Sequence, residues 1–288
     1  MARIAYVNGR YGPLSDAAVH VEDRGFQFAD GVYEVWAVMD GKLADSDGHF
    51  ERLFRSLGEL RIRAPMSRPA LKQVLRETIR RNRLREGLLY LQITRGAARR
   101  DHAFPAPEVE PTVVITAKPV DFDRLDRNAK AGVRVITQPD IRWGRCDIKT
   151  VGLLPNALAK QAAKEAGAAE AWLVDAEGFV TEGSSTNAWI IDAEGRLRTR
   201  DTGANILRGV TRKALMELAR ECQIEVIEQP FTVAEAKAAK EAFFTAASAF
   251  LTPVTAIDGE PIGDGRPGPV TLRLRDLYTQ RARAGASS

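Results

Sequence analysis

Apolar positions in this chain recur with two periods, and the changes between them mark out the elements. Ile4-Ala-Tyr-Val-Asn-Gly-Arg10 alternates around an Asn-Gly turn, which predicts a hairpin, and Ala18-Val-His-Val21 predicts more extended chain in a β-meander. Asp23 to Gly31 reads as a loop, with glycine near both ends and acidic residues that favour turns. Val32 to Met39 is dense in β-branched and aromatic residues and predicts a strand. Its period of two puts Tyr33, Val35 and Ala37 on one face and Glu34, Trp36 and Val38 on the other. Asp40-Gly41 turns it back into Lys42-Leu-Ala.

From Asp47 the period becomes helical, with Phe50, Leu53, Phe54, Leu57 and Leu60 as an apolar stripe and His49 and Arg52 on one side of the first turns. Leu71, Val74, Leu75 and Ile79 give a second amphipathic helix over residues 69–83. Leu88–Arg95 and Pro111–Lys118 predict strands, joined by the polar loop Gly96–Pro105. The tract Pro119–Gly132 is charged and weakly periodic. A domain boundary is placed there: a small α/β domain over 1–120, a linker over 121–132 and a larger domain over 133–288. Its pattern predicts a strand at Val133–Thr137, a helix at Ala157–Gly167, a strand at Glu170–Asp175, and strands around Phe179–Ile191. A helix over 211–223 follows, then a last strand at Glu241–Val254 running into a hydroxyl-bearing turn, a hairpin at Ile257–Pro261, and a closing helix over 270–283.

At 288 residues with 44% hydrophobic content, the chain can bury a sizeable core. The 42 basic and 38 acidic residues leave a charge of +4, and the Arg-dense stretch at Arg76–Arg85 is that of a solvated helix face. No nucleic-acid partner is expected. Two cysteines make no disulfide framework, and three histidines without paired spacing give no metal site. With no long apolar run at the start or elsewhere, a soluble, cytoplasmic chain is expected.

Candidate chemistry centres on Arg142-Trp-Gly-Arg-Cys-Asp-Ile-Lys149-Thr-Val-Gly. A lysine between apolar Ile148 and a small-residue turn can lose hydration and lower its pKa, which makes an amine a Schiff-base nucleophile; a solvated strand-edge lysine is the alternative. Glu182, before Gly183 and two serines and between apolar strands, needs a cation or donors if buried, and a protonated heterocyclic nitrogen is one such cation; an ordinary turn acid is the alternative. Arg52 is either a surface charge or a phosphate clamp. Gly209-Val-Thr211 before a helix offers free amides and a hydroxyl to an anion. Arg100 and His102, two apart in an extended loop, suit a carboxylate.

Seven blocks in order, covering about residues 4–280, carry a resemblance: Asp23-Arg-Gly-Phe-Gln-Phe-Ala-Asp-Gly-Val-Tyr-Glu-Val, His49-Phe-Glu-Arg-Leu, Thr94-Arg-Gly with Arg100-Asp-His102-Ala-Phe-Pro, Arg145-Cys-Asp-Ile-Lys149, Thr181-Glu-Gly-Ser-Ser, Leu207-Arg-Gly-Val-Thr-Arg and Leu251-Thr-Pro-Val. Together they resemble the class IV, fold type IV, pyridoxal-phosphate aminotransferases, on the D-amino acid side of that family. The resemblance implies an α+β fold: a small N-terminal α/β domain and a larger C-terminal pseudo-barrel domain, paired as a homodimer. It implies pyridoxal 5'-phosphate held by a Schiff base to Lys149, which then shuttles a proton, with Glu182 keeping the ring nitrogen protonated. Arg52, Ser185, Gly209, Val210, Thr211 and Ser248 are implied around the cofactor, with Leu207 packed on its ring. Tyr33, Arg100 and His102 are implied as the substrate-carboxylate trap, the last two from the partner subunit, and Val35 in the side-chain pocket. The implied activity is transamination between D-amino acids and 2-oxo acids. A branched-chain L-amino acid or (R)-amine transaminase, an aminodeoxychorismate lyase, and a non-catalytic binding protein stay open as alternatives. Two departures from the family pattern stand out: Ala29 where it usually has glycine, and Ala247 where it often has a phosphate-binding threonine, so that either Ser248 supplies that bond from the next position or the bond is missing.

Overall fold

The computed structural model describes residues 3–286. They divide into two compact units: the chain up to Asp121 with Ile148–Gly152 and the end from Ala282, which is the last part of a helix that begins in the other unit, and the remainder, Phe122–Asp147 with Leu153–Arg281.

In the first unit the elements are β1 (Ile4–Val7), β2 (Arg10–Pro13), α1 (Arg24–Phe28), β3 (Gly31–Met39), β4 (Lys42–Leu43), α2 (Ser46–Glu59), α3 (Arg68–Arg81), β5 (Gly87–Thr94) and β6 (Thr112–Pro119). The strands form one antiparallel sheet, ordered β2-β1-β6-β5-β3-β4. Burial along β3 follows the expected alternation as far as Trp36: Val32, Glu34 and Trp36 lie buried and Tyr33 and Val35 are half-exposed, whereas Ala37, expected on the Tyr33 face, is buried along with Val38. The apolar stripe of α2 meets that buried face, where Phe50, Leu53 and Leu57 join Trp36, Leu89, Leu91 and Ile93 in one core with Leu71, Leu75 and Ile79 of α3. Two local expectations fail here. Ala18–Val21 is exposed chain without ladder partners among the described residues, and Asp23–Gly31 holds a short helix, α1. The helix forms because the Asp23 carboxylate accepts from the Gly25 amide as an N-cap, at 2.9 Å.

The second unit contains α4 (Phe122–Ala131), β7 (Val133–Pro139), α5 (Leu154–Glu165), β8 (Glu170–Val174), β9 (Val180–Gly183), β10 (Asn187–Ile191), β11 (Leu197–Thr199), α6 (Val210–Glu221), β12 (Val226–Glu228), α7 (Val233–Lys237), β13 (Glu241–Ala246), β14 (Phe250–Ile257), β15 (Glu260–Pro261) and α8 (Pro269–Ala286). The tract expected as a linker is thus largely a helix, which buries Phe122 and Ala129 from an otherwise charged surface. The expected last strand is two strands: Ala246 pairs with Phe250 in an antiparallel hairpin, with Ser248 exposed on its turn. The Arg275 guanidinium of α8 fixes that turn by donating to Ala249 O at 3.2 Å and Leu251 O at 2.5 Å.

The sheet runs β12-β11-β10-β13-β14-β7-β8-β9, with β15 on β14. Successive strands sit about 4.8 Å apart, so a flat sheet would separate β10 from β9, five positions away, by about 24 Å. Yet β9 and β10 are joined by Ser184, Ser185 and Thr186 alone, with Gly183 N donating to Thr186 O at 2.7 Å. Four peptide steps reach at most about 14 Å, so the sheet must curl back on itself. This is the expected pseudo-barrel. No described helix is long and apolar enough to cross a membrane.

Candidate active site

Lys149 belongs to the first unit. β4 covers only the Val38–Met39 end of β3, and residues 149–151 take the edge left open at Gly31–Tyr33: Tyr33 N donates to Lys149 O at 2.9 Å and Val151 N to Gly31 O at 3.1 Å. Alternation then sends Ile148 into the core, 3% exposed, and Lys149 to the opposite side, where its Nζ stands 4.0 Å from the centre of the Tyr33 ring. Two expected site residues therefore meet through strand geometry. The Lys149 amide is held by Ser56 Oγ of α2 at 3.3 Å.

Arg52 is not a surface charge. It is buried, and its Nε and Nη2 both donate to the Glu34 carboxylate, at 2.7 and 2.8 Å, while His49 Nδ1 lies 2.8 Å from the same carboxylate. A carboxylate only accepts, so His49 carries its proton on Nδ1. Burial pushes the His49 pKa down and leaves the ring neutral. Burial alone would raise the Glu34 pKa, but the adjacent Arg52 overrides it and holds the carboxyl at about 2. Glu34 and its grip on Arg52 carried no sequence signal beyond an acidic residue on the apolar face of β3.

Arg100 and His102 are both exposed, on the loop after β5. The Phe28 ring of α1 gathers them: the Arg100 guanidinium lies 4.7 Å from its centre and the His102 ring 5.4 Å away.

In the second unit, Glu182 is 5% exposed at the end of β9. The cation that its burial demands is Arg142, whose Nη1 forms a very short bond to Oε1; Asn187 Nδ2 donates to Oε2 at 3.0 Å and Leu207 N to both oxygens at 3.1–3.2 Å. The demand that burial places on Glu182 is thus met within the chain, without a heterocyclic partner. Burial works to lower the Arg142 pKa, but its bonds to Asp140 and the charge of Glu182 raise it above the ordinary guanidinium value. Asn187 also donates to Leu207 O at 3.0 Å, and a β-carbon on Gly209 would overlap Asn187 Oδ1. The glycine therefore lets the start of α6 pack against the strand that carries Asn187. The pairing of Arg142 with Glu182 spans 40 positions and that of Asn187 with Leu207 spans 20, distances at which local spacing carries no signal.

Gly209 caps α6 with no side-chain bond, and the first turn holds no acidic residue, so the Val210 and Thr211 amides face no built-in competitor for an anion. Thr211 Oγ1 lies 3.4 Å from the Tyr278 hydroxyl. Ser185 Oγ donates to Glu170 Oε2 at 3.1 Å, and Ser184 Oγ makes a very short bond to Oε1 of the same fully buried carboxylate. With its one proton so engaged, Ser185 presents lone pairs rather than a donor.

The sequence profile of the family described as amino-transferase class IV matches residues 31–257. The chain is a class IV aminotransferase. This aminotransferase is 39% identical over 275 residues to the D-alanine aminotransferase of Staphylococcus haemolyticus, covering 96% of each chain. It is 41% identical over 268 residues to that of Bacillus licheniformis, covering 93% of each. The Escherichia coli branched-chain amino acid aminotransferase superposes with a TM-score of 0.90 at 26% identity, covering 99% of this chain and 96% of that one. The T.th. branched-chain enzyme, solved with pyridoxamine 5'-phosphate, gives 0.89 at 28%, covering 99% and 95%. The expected fold type holds, and the enzyme depends on pyridoxal phosphate as its family does. The residues fit that group half by half: a primary amine beside an aromatic face in the first unit, and in the second an oriented carboxylate and an uncapped helix start for a phosphate.

Proposed function

We propose that this class IV aminotransferase moves the amino group between D-amino acids, such as D-alanine, and 2-oxo acids, such as 2-oxoglutarate or pyruvate. What carries the reading is near-full-length identity of about 40% to D-alanine aminotransferases, with Arg100-Asp-His102 as the loop that would take the substrate carboxylate. Pyridoxal phosphate, when bound, supplies an aldehyde for the amino group and a ring that accepts the electron pair left by the departing α-proton. Lys149 would hold it through Nζ and, once displaced, take the α-proton on Nζ and return it. The half-exposed Tyr33 ring forms a wall beside that nitrogen. Glu182, oriented by Arg142, would face the ring nitrogen; Arg52, the Val210 and Thr211 amides, the Thr211 hydroxyl and Ser248 would face the phosphate. Leu207 would pack on the ring, Ser185 would accept a bond at the cofactor rim, and Val35 would line the side-chain pocket.

The enzyme would act as a homodimer in the cytoplasm, with Arg100 and His102 delivered to the partner's site. The exposure of that loop supports this, as do Phe26, 75% exposed, and Leu154 and Leu158 on one face of α5, 72% and 57% exposed. The purified enzyme, loaded with cofactor and given 2-oxoglutarate, should consume D-alanine and leave L-leucine largely unreacted. Faster turnover of L-leucine would move the assignment to a branched-chain activity.

A further inference from the structure

We propose that Arg24 is a positioning residue for substrate-carboxylate recognition: its buried guanidinium sets the backbone of the loop that carries Arg100 and His102. The inference rests on the reading that those two residues bind the substrate carboxylate.

Arg24 opens α1 and is 3% exposed. Its Nη1 donates to Asp101 O at 2.6 Å and Ala103 O at 3.2 Å, and its Nη2 to His102 O at 3.3 Å. Three successive carbonyls thus turn toward one planar cation. Residues 99–104 are all exposed, so packing of the loop's own side chains does not impose this shape. The guanidinium is itself fixed: Nε donates to Asp30 Oδ2 at 2.7 Å, and Asp30 also takes Arg95 Nε at 2.7 Å and Nη2 at 3.0 Å. Arg95 in turn donates to Leu60 O and Arg61 O after α2 and lies 3.6 Å from the centre of the Phe104 ring, at the far end of the loop. Backbone bonds complete the attachment, Arg24 N to Gly96 O at 2.9 Å and Ala98 N to Glu22 O at 3.2 Å.

One turn beyond Arg24 on the same helix, Phe28 takes Arg24, Arg100 and His102 against its ring. So α1 holds the loop backbone with one residue and the two recognition side chains with another. An ammonium group lacks the planar fork that spans three carbonyls, so lysine at position 24 keeps the ion pair with Asp30 but releases most of the loop.

The test uses the cofactor-loaded enzyme, D-alanine and 2-oxoglutarate, with Arg24→Lys, Arg100→Ala and the double variant. Arg24→Lys should raise KM for D-alanine by about five- to thirtyfold, part of the roughly ten- to two-hundredfold that a charged carboxylate contact is worth. Its kcat should stay within about threefold, and its cofactor absorption spectrum should be unchanged. In the Arg100→Ala background the same change should alter KM by a clearly smaller factor than it does alone, because of the two residues it positions only His102 remains. If Arg100→Ala leaves KM unchanged, the carboxylate-binding reading fails. If Arg100→Ala raises KM but Arg24→Lys does not, or if the two effects multiply, that reading stands and the positioning role is overturned. Should Arg24→Lys not fold, Arg24→Gln, which buries no unpaired ammonium and leaves Asp30 to Arg95, is measured in its place. If neither folds, Arg24 is a determinant of the fold and the inference is overturned.

Discussion

Replacing Glu34 by glutamine tests how Arg52 is held. The carboxylate is fully buried and takes Arg52 Nε and Nη2 and His49 Nδ1, all three at 2.7–2.8 Å. Glutamine keeps the shape, removes the charge and turns an N–H toward donors. Breaking a buried pair by removing one partner costs about 3–5 kcal/mol, because the other charge stays buried and uncompensated. Linkage gives a similar figure. A carboxyl held at about 2 in the folded chain against 4.5 when unfolded contributes ~3 kcal/mol at neutral pH. Because the folded pKa is the lower, this stability is complete above pH 4.5 and is lost as pH falls toward 2.

At about 2–4 °C per kcal/mol for a chain of this order of size, the ~3 kcal/mol lost in Glu34→Gln should lower the midpoint by roughly 6–12 °C at pH 7. Thermal melts of parent and variant, followed by circular dichroism at pH 7, 4 and 3, supply the measurement. Every other carboxylate titrates in both proteins, so the difference between the two isolates Glu34. The gap should narrow at each step and fall to under half of its neutral value by pH 3. A variant that melts within about 2 °C of the parent at pH 7 would refute the reasoning, as would a gap that widens with acid.

Gly209→Ala should push the Asn187 side chain away from Leu207 O and Glu182, since the new methyl overlaps Asn187 Oδ1. Weaker cofactor retention on dialysis, by about tenfold or more, is expected; retention equal to the parent would show that Asn187 does not shape this half of the site. Lys149→Ala should abolish turnover while the protein stays folded. Mixing it with Arg100→Ala subunits, assayed at D-alanine well below that variant's raised KM, should raise activity above that of either variant alone, because one site of a mixed dimer then holds both groups; no gain in proven heterodimers would place Arg100 outside the partner's site.

What the sequence made legible was whatever repeats locally. The β3 alternation that separates Tyr33 and Val35 from Trp36 held, as did the α2 stripe and the Asn8-Gly9 hairpin. What stayed hidden were long-range polar partners and strands too short for a period. Three-residue β11 and β12 are placed by their neighbours in the sheet, not by their own pattern. Phe250 takes φ of 57° to turn β13 into β14, a left-handed conformation that no propensity assigns to phenylalanine, so one strand was expected where two exist. Ala29 shows the converse. It has φ of 55° at the end of α1, a left-handed conformation that suits glycine, and alanine there costs about 1 kcal/mol or more.

The same principle recurs at each polar group of the candidate site. Glu34 takes the Nε and Nη2 edge of Arg52, which fixes the direction of its Nη1 end. Arg142, Asn187 and the Leu207 amide together hold Glu182 from three sides, and Glu170 takes the Ser185 proton. Each of these groups is thus held in one orientation by the protein. Dipoles and charges fixed in this way need not reorganise when charge moves in a reaction, and that is where preorganised sites gain over water. The burial that made Glu182 conspicuous in the sequence is therefore better explained by orientation than by need: a carboxylate already paired with Arg142 has no requirement for a second cation, and on the proposed reading a protonated ring nitrogen would meet an acceptor already held in place.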